Sequence, residues 1–169
     1  MTICTQEKKC LFGKIVDGKM ILNKVGKVAR DCWLKIPTHF PNVILRSFVI
    51  IPNHVHGIII IENGNVGASI YGAPKNENCA NSHQGAINRR PYGGFSKSKN
   101  PMKTNSLGKI IRWYKGRCTF EIRKKSYQFF QWQRNYHEHI IRNEKSLQKI
   151  QDYIVHNPEL WEKDCFFVL

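Results

Sequence analysis

The chain has 169 residues, of which 41% are hydrophobic, and it carries a formal charge of +15. One domain with a buried core is expected at this length, and neither a membrane-spanning apolar run nor a signal peptide is visible. The charge predicts a polyanionic partner, most simply nucleic acid, rather than an acidic membrane surface. Six cysteines without a CxxC pair argue against a zinc ribbon and favour free thiols, so we expect a cytoplasmic protein.

The first third of the chain predicts five strands and one helix. Asp17-Gly18 is typical of a two-residue hairpin turn, and β-branched runs flank a tight turn at Pro52-Asn53. Apolar residues recur at helical spacing until Pro37, which should end the helix. The predicted strands are 2–5, 11–16, 19–22, 43–51 and 54–62, and the predicted helix is 25–36.

The segment 63–105 has a different composition from the rest. It is rich in Gly, Asn and Ser, and it carries six basic side chains against a single acid, Glu77. Structureless segments of this length are usually functional or disordered. We expect a flexible basic loop that contributes to binding of a polyanion. A neutral insertion is the alternative.

The last third predicts two long helices. Ser106 and Asn143 should cap them, and Pro158 should close the second. The predicted elements are a helix at 107–125, a strand at 129–136, a strand or turn at 137–142, a helix at 144–157 and a short tail whose Leu160, Trp161, Phe166 and Phe167 can dock. The order of elements predicts an α+β fold, a ferredoxin-like or RRM-like antiparallel sheet with helices mainly on one face, in one domain over 1–169.

Two histidines, His54 and His56, lie in the second long strand. Side chains alternate along a strand, so both imidazoles should point the same way and Val55 into the opposite layer. Two neighbouring imidazoles on a rigid strand supply part of a metal site. The alternative is an ordinary polar pair on a solvated face.

Tyr153 and Asn157 are four residues apart, so they share one face of the last helix. Tyrosine can act as a covalent nucleophile. An amide oxygen is a hard donor that suits Mg²⁺ or Mn²⁺ better than zinc. Together with His54 and His56, it would hold a cation that gathers a scissile phosphate. The alternative is a packed tyrosine and a polar helix end.

The helix at 107–125 has seven basic residues and one acid, Glu121. Such an excess favours a phosphate-facing role over a merely solvated face. Aromatic residues interleave with cations at 113–115 and 130–134 and could stack on unpaired bases, unless they all belong to the core. The candidate DNA contacts are Lys109, Arg112, Lys115, Arg117, Arg134 and Arg142.

The stretch SFVIIPNHVHG at 47–57 resembles the HUH motif of single-tyrosine (Y1) transposases. The run WQRNYHEHIIRNE at 132–144, continuing to YIVHNP at 153–158, is similar to their REP-associated branch, as are residues 2–6 and 11–13. The likeness covers nearly the whole chain except 63–105. It implies that His54 and His56 bind a divalent metal and that Tyr153 forms a 5′-phosphotyrosine on single-stranded DNA. The wider family has Gln as third ligand, where this chain has the shorter Asn157.

The expected function is therefore a metal-dependent endonuclease and transesterase. It would cleave and rejoin hairpin-forming DNA, with REP-like palindromes implied only by the resemblance, and act as a monomer or homodimer. A non-catalytic single-stranded nucleic-acid binder with an RRM-like sheet is the alternative, and a plasmid-type replication nickase shares the chemistry. Tyr136 is a rival nucleophile, although no candidate metal ligand lies one helical turn further along the chain from it. We expect His139 to hydrogen-bond within the sheet.

Overall fold

The computed structural model describes residues 1–62, 106–125 and 127–167. The expectation of a flexible basic loop at 63–105 falls outside these residues. The strands are β1 (Thr2–Cys4), β2 (Gly13–Val16), β3 (Lys19–Leu22), β4 (Val43–Ile51) and β5 (His54–Ile61). The helices are α1 (Lys24–Leu34), α2 (Ile36–His39), α3 (Leu107–Lys124) and α4 (Glu144–His156), with 3₁₀ turns at Gln6–Lys8 and Trp161–Lys163.

An antiparallel sheet of three strands, in the order β1-β5-β4, carries the fold. Its central strand is β5, the one that holds both histidines. A separate hairpin pairs β2 with β3 through Asp17 and Gly18, which both have positive φ, as a two-residue turn of the primed types requires. The sheet and the helices packed against it confirm the predicted α+β class, and they are compatible with a ferredoxin-like or RRM-like fold.

The main core lies on the Val55 side of β5. There the strand packs with α1 and α3, whose buried residues include Trp33 and Tyr114. The helix α4 contacts the opposite side, because its Tyr153 meets the ring of His56. Most helices therefore cover one face of the sheet, and α4 reaches the face on which the histidines lie.

The first helix begins and ends differently from its sequence prediction. Asn23 caps α1 by accepting hydrogen bonds from the backbone nitrogens of Val25 and Gly26, so the helix starts at Lys24. Pro37 does not terminate it: α1 ends at Leu34, and Pro37 lies in the first turn of the short α2. Proline is tolerated there because its missing N–H would have no helical acceptor.

The predicted strand at 129–136 is wrong. This segment runs along the free edge of β1 but makes only isolated bridges, which join Thr5 to Trp132 and Thr2 to His137. Between the bridges, Asn135 has φ of +70°, which interrupts a regular ladder. His139 is exposed and lies in no strand, so its expected place in the sheet is also wrong.

The predicted helix caps are confirmed. Ser106 accepts a hydrogen bond from the nitrogen of Lys109, and Asn143 accepts one from the nitrogen of Ser146. These caps satisfy backbone donors that the first helical turn leaves free. None of the described helices has the length and hydropathy of a membrane-spanning segment.

Candidate active site

His54 and His56 point to the same face of β5, as the strand alternation predicts. They are 0% and 6% exposed, and their Nε2 atoms lie 2.8 Å apart. This burial contradicts the alternative of a solvated polar pair. Buried imidazoles at this separation need either a shared proton or a shared ligand.

The protonation state of His54 is set by its neighbour Asn53. The amide nitrogen of Asn53 donates to the carbonyl oxygens of Lys8 and Phe166, at 3.0 and 2.8 Å, so its oxygen faces His54 Nδ1 at 2.7 Å. Nδ1 must therefore carry the hydrogen, and Nε2 keeps a lone pair. Burial, with a contribution from nearby His56, lowers the pKa of His54 to about 3, so the ring is neutral at physiological pH.

The second imidazole is oriented by β1. Thr2 Oγ1 lies 2.8 Å from His56 Nδ1 and can accept its proton, which leaves a lone pair on Nε2 as well. Two lone pairs then face one point. Two imidazole nitrogens 2.8 Å apart that both present lone pairs could serve as neighbouring ligands of one divalent cation. The two side chains therefore fit a shared divalent cation, with outer hydrogen bonds of the kind that orient metal-bound histidines.

Tyr153 projects from α4 towards this pair. Its Oη lies 3.4 Å from His56 Nε2, and the two ring centroids are 5.3 Å apart. The residue is 43% exposed, so a substrate can reach the phenol from solvent. The structure thus brings together three of the four residues that the sequence assigns to metal binding and nucleophilic attack, namely His54, His56 and Tyr153.

The carboxylate of Asp164 is the residue that sequence reasoning missed. Its Oδ2 accepts hydrogen bonds from Tyr153 Oη at 2.9 Å and Asn157 Nδ2 at 2.8 Å, and its Oδ1 accepts one from Phe166 N at 2.7 Å. Its side chain is 1% exposed, and Oδ2 lies 4.0 Å from His56 Nε2. His54, His56 and Asp164 each offer one ligand atom, and these three atoms all lie within 4.8 Å of one another. Such a set could hold a metal ion.

Asn157 lies beside this carboxylate as the residue that follows α4. It is 1% exposed, and its nitrogen is committed to Asp164. Its Oδ1 is buried and has no hydrogen-bond partner among the described residues. A buried orphan acceptor is costly, and it is an oxygen donor of the kind a hard cation takes. Direct ligation by Asn157 stays a prediction, whereas its contact with Asp164 is an observed feature of the site.

Burial and hydrogen bonding in the site shift the pKa values of Tyr153 and Asp164 in opposite directions. Burial, reinforced by the hydrogen bond to Asp164, raises the pKa of Tyr153 well above its ordinary value. Burial also favours protonated Asp164, but interactions with His56, Asn157, Phe166 N and Tyr153 outweigh it and hold that pKa well below its ordinary value. The phenol is therefore the proton donor of the pair and the carboxylate the acceptor.

The C-terminal tail closes one side of the site, and the prediction that it docks is confirmed for three of the four aromatic or apolar residues. The ring centroids of Trp161 and Phe166 lie 6.0 and 4.9 Å from that of His54, and Phe167 packs on Trp161. Leu160 remains 45% exposed. The tail therefore supplies both an aromatic wall and the carboxylate.

The rival nucleophile Tyr136 has a different environment. It is half-buried against the core, and its hydroxyl oxygen lies 3.6 Å from the position that a Cβ on Gly108 would occupy at the start of α3. This places its oxygen beside a helix of the main core. Tyr153, in contrast, has its hydroxyl oxygen 3.4 Å from His56 Nε2, beside the histidine pair.

Four of the six candidate DNA contacts lie on α3, and Arg134 and Arg142 lie in the segment between α3 and α4. Lys115 is half-buried and donates to the carbonyl oxygens of Gln133 and Asn135, and Arg117 pairs with Glu121 at 2.7 Å. The remaining candidates, Lys109, Arg112, Arg134 and Arg142, are partly or fully exposed. Of the aromatic residues expected to stack on bases, Tyr114 and Phe130 are buried in the core, at 0% and 4% exposure. For these two side chains, the stacking prediction is wrong.

Comparison with known proteins shows similarity to a bacterial protein. The chain is 41% identical over 168 residues to an uncharacterized protein of Haemophilus influenzae (strain ATCC 51907 / DSM 11121 / KW20 / Rd). The match covers 99% of this chain and 83% of that protein. No protein-family model matches the chain, and no solved structure matches it.

Proposed function

We propose that this chain, which belongs to the same family as the uncharacterized Haemophilus influenzae protein, is a metal-dependent transesterase of single-stranded, hairpin-forming DNA. One observation carries the proposal. The phenol oxygen of Tyr153 lies 3.4 Å from Nε2 of His56, which forms a buried pair with His54. Tyr153 itself is accessible to solvent, and the protein is strongly basic. Attack on a phosphodiester needs this juxtaposition of nucleophile and cation site.

The proposed step is a displacement at phosphorus. Tyr153 Oη forms a bond to the phosphorus atom, the bond from phosphorus to the 3′ oxygen breaks, and the 3′ oxygen leaves as a hydroxyl after taking up a proton. The phenolic proton passes along its hydrogen bond to Asp164 Oδ2 and from there to water or to the departing 3′ oxygen, so that Asp164 ends the step as a carboxylate. The phosphotyrosine conserves the bond energy, so attack by a 3′ hydroxyl reverses the step and rejoins a strand.

His54, His56 and Asp164 are the residues that would hold Mg²⁺ or Mn²⁺, with the free amide oxygen of Asn157 as a further donor. When bound there, a divalent cation favours the phenolate and offsets negative charge on the phosphate oxygens. Asn53 and Thr2 fix the rings so that both Nε2 atoms stay available. This second layer keeps the donors oriented before substrate arrives.

The test is covalent trapping. The protein is incubated with a fluorescent single-stranded hairpin oligonucleotide and Mn²⁺, and the products are separated on a denaturing gel. We expect a DNA–protein adduct, its loss in EDTA, and its loss in both the Tyr153→Phe and the His54→Ala/His56→Ala proteins. Tyr136→Phe is the matched control and should form the adduct. Peptide mapping should place the DNA on Tyr153.

Two results would decide against the proposal. An adduct on Tyr136 would overturn the assignment of the nucleophile. Binding of the hairpin by the parent protein without cleavage or adduct, at every divalent metal tried, would favour the non-catalytic single-strand binder. The loss of adduct in Tyr153→Phe is interpretable because phenylalanine keeps the ring contact with His56 and removes only the attacking oxygen.

A further inference from the structure

We propose that the outer face of α3 is a second nucleic-acid site, separate from the centre described above, and that it binds an unpaired strand. The apolar stripe of α3, which includes Ile110 and Tyr114, packs into the core that contains Val55. His54 and His56 project from the other face of β5, because side chains alternate along the strand. The outer face of α3 therefore lies on the opposite side of the sheet from the proposed cleavage site.

Two grooves run along this outer face, and Phe120 stands between them. One groove, of about 720 Å³, extends to Trp132, and the other, of about 660 Å³, extends to Trp113. Both are lined by Gly116 and Phe120. We call them the Trp132 groove and the Trp113 groove. A Cβ on Gly116 would meet no atom within 4 Å, so the helix surface is open where the two grooves adjoin.

The lining of both grooves is basic, with no acidic residue among the lining residues that the structure describes. The Trp132 groove has Lys115, Arg123 and Lys124, and the Trp113 groove has Lys109, Arg112 and Arg117. Three of these cations are held by protein groups: Lys115 and Arg123 donate to backbone carbonyls, and Arg117 pairs with Glu121. In the described part of the chain, Lys109, Arg112 and Lys124 form no ion pair, so each groove has at least one cation available for phosphate.

Phe120 is the residue that indicates an unpaired strand. It is 60% exposed, which is unusual for phenylalanine on a helix surface, and the guanidinium carbon of Arg117 lies 5.8 Å from its ring centroid. Among the described residues no other aromatic ring contacts it. An exposed aromatic ring between two cationic grooves matches a base stacked on the ring with its flanking phosphates on either side. Bases in a closed duplex do not offer a face for such stacking.

The test measures binding in the Tyr153→Phe protein in EDTA, so that neither metal nor cleavage contributes. A fluorescein-labelled unstructured 12-nucleotide DNA and its duplex are titrated by anisotropy. Phe120→Ala removes the ring on which one base would stack. This variant should therefore bind the single strand about 5- to 150-fold more weakly than the parent protein. Phe129→Ala is the control, because Phe129 is 94% exposed and lies in neither groove. It should bind as the parent does.

A second pair of variants tests the effect of charge at Gly116, which lines both grooves. Gly116→Glu places a carboxylate at the boundary of both grooves, and Gly116→Gln adds the same bulk without charge. We expect Glu to weaken binding more than Gln, by a factor that shrinks as salt is raised. Circular dichroism confirms that each variant is folded.

The proposal is overturned if Phe120→Ala and Phe129→Ala bind the single strand equally, or if duplex binds as tightly as the single strand with the same sensitivity to Gly116→Glu. The latter result would indicate a phosphate-contacting duplex surface. The inference goes beyond the proposed function. Since binding is measured without the nucleophile, failure of adduct formation leaves this result standing, and loss of binding at Phe120 leaves the cleavage chemistry standing.

Discussion

Gly57, the residue after the second histidine, should not tolerate alanine. A Cβ at this position would overlap Trp33 Cζ2 and lie 2.6 Å from Trp33 Cη2 and 3.3 Å from Phe48 Cβ. Trp33 is fully buried, with its ring centroid 5.7 Å from that of Phe48 and 5.3 Å from that of Tyr114. The indole therefore fills the space that a side chain on Gly57 would need.

The size of the effect follows from this geometry. Carbon atoms pack best at about 3.5–4.0 Å, so two ring atoms would be roughly 1 Å or more too close to the added methyl group. Neither the indole nor the strand can move freely, because aromatic rings enclose Trp33 and His56 is held by Thr2. Overpacking of this kind costs about 1–3 kcal/mol. At about 2–4 °C per kcal/mol, we expect Gly57→Ala to lower Tm by roughly 2–12 °C.

The assay is thermal unfolding followed by tryptophan fluorescence, with urea unfolding as a second measurement. Gly116→Ala is the matched control: its methyl group meets no atom, and a helical Gly→Ala change should stabilise the protein by about 0.5–1 kcal/mol. Trp33→Phe should relieve part of the cost in the double variant, because it removes the clashing ring atoms. A Gly57→Ala protein as stable as the parent would refute the argument that Trp33 requires glycine there.

Two further predictions concern the histidine pair. At about 100 times its Kd, Mn²⁺ should stabilise the protein by about 2.7 kcal/mol and raise Tm by about 5–11 °C in differential scanning fluorimetry; an equal shift in His54→Ala/His56→Ala would place the ion elsewhere. In EDTA, the free energy of unfolding should fall by about 2 kcal/mol between pH 7.5 and 5, since His54 has a pKa of about 3 when folded but about 6.5 when unfolded, so that its stabilisation is lost as pH falls below 6.5. In urea titrations at the two pH values, His54→Gln should lose this part of the fall in unfolding free energy. A His54→Gln protein with the same pH dependence as the parent would contradict the assignment of the effect to His54.

Sequence patterns predicted the elements whose signal is local. The hairpin turn at Asp17-Gly18, the helix caps and the two long strands are confirmed because each depends on a few neighbouring residues. The strand predicted at 129–136 is wrong for the opposite reason, because a strand ladder depends on more than local composition. Its aromatic, strand-like composition comes from residues such as Phe130 that pack into the core, while the backbone from Trp132 to His137 meets residues 2–5 through isolated bridges rather than a continuous ladder. Composition indicated burial there, and burial alone does not specify a ladder.

The same distinction applies to α3. Its apolar stripe, which includes Ile110, Tyr114 and Cys118, was readable from helical spacing and is buried. That spacing places Phe120 about 200° from Cys118 around the helix axis, on the opposite side from the stripe. The exposed aromatic residue was therefore available from the sequence. Adjacency to cations in the sequence predicts stacking for Tyr114 instead, whereas the apolar stripe assigns Tyr114 to the core.

Asp164 could not be found in this way, because no periodicity or motif spacing marks it. Its position depends on the tail, where Trp161 and Phe166 pack against His54 and so bring the intervening carboxylate to Tyr153. In the absence of a cation, this arrangement opposes the proposed attack by Tyr153, since it keeps the proton on the phenol and the charge on the carboxylate. A positive charge at the histidine pair would stabilise both anions at once. In the proposed mechanism, the hydrogen bond between Tyr153 and Asp164 would therefore make formation of the phenolate depend on a cation bound at the two histidines.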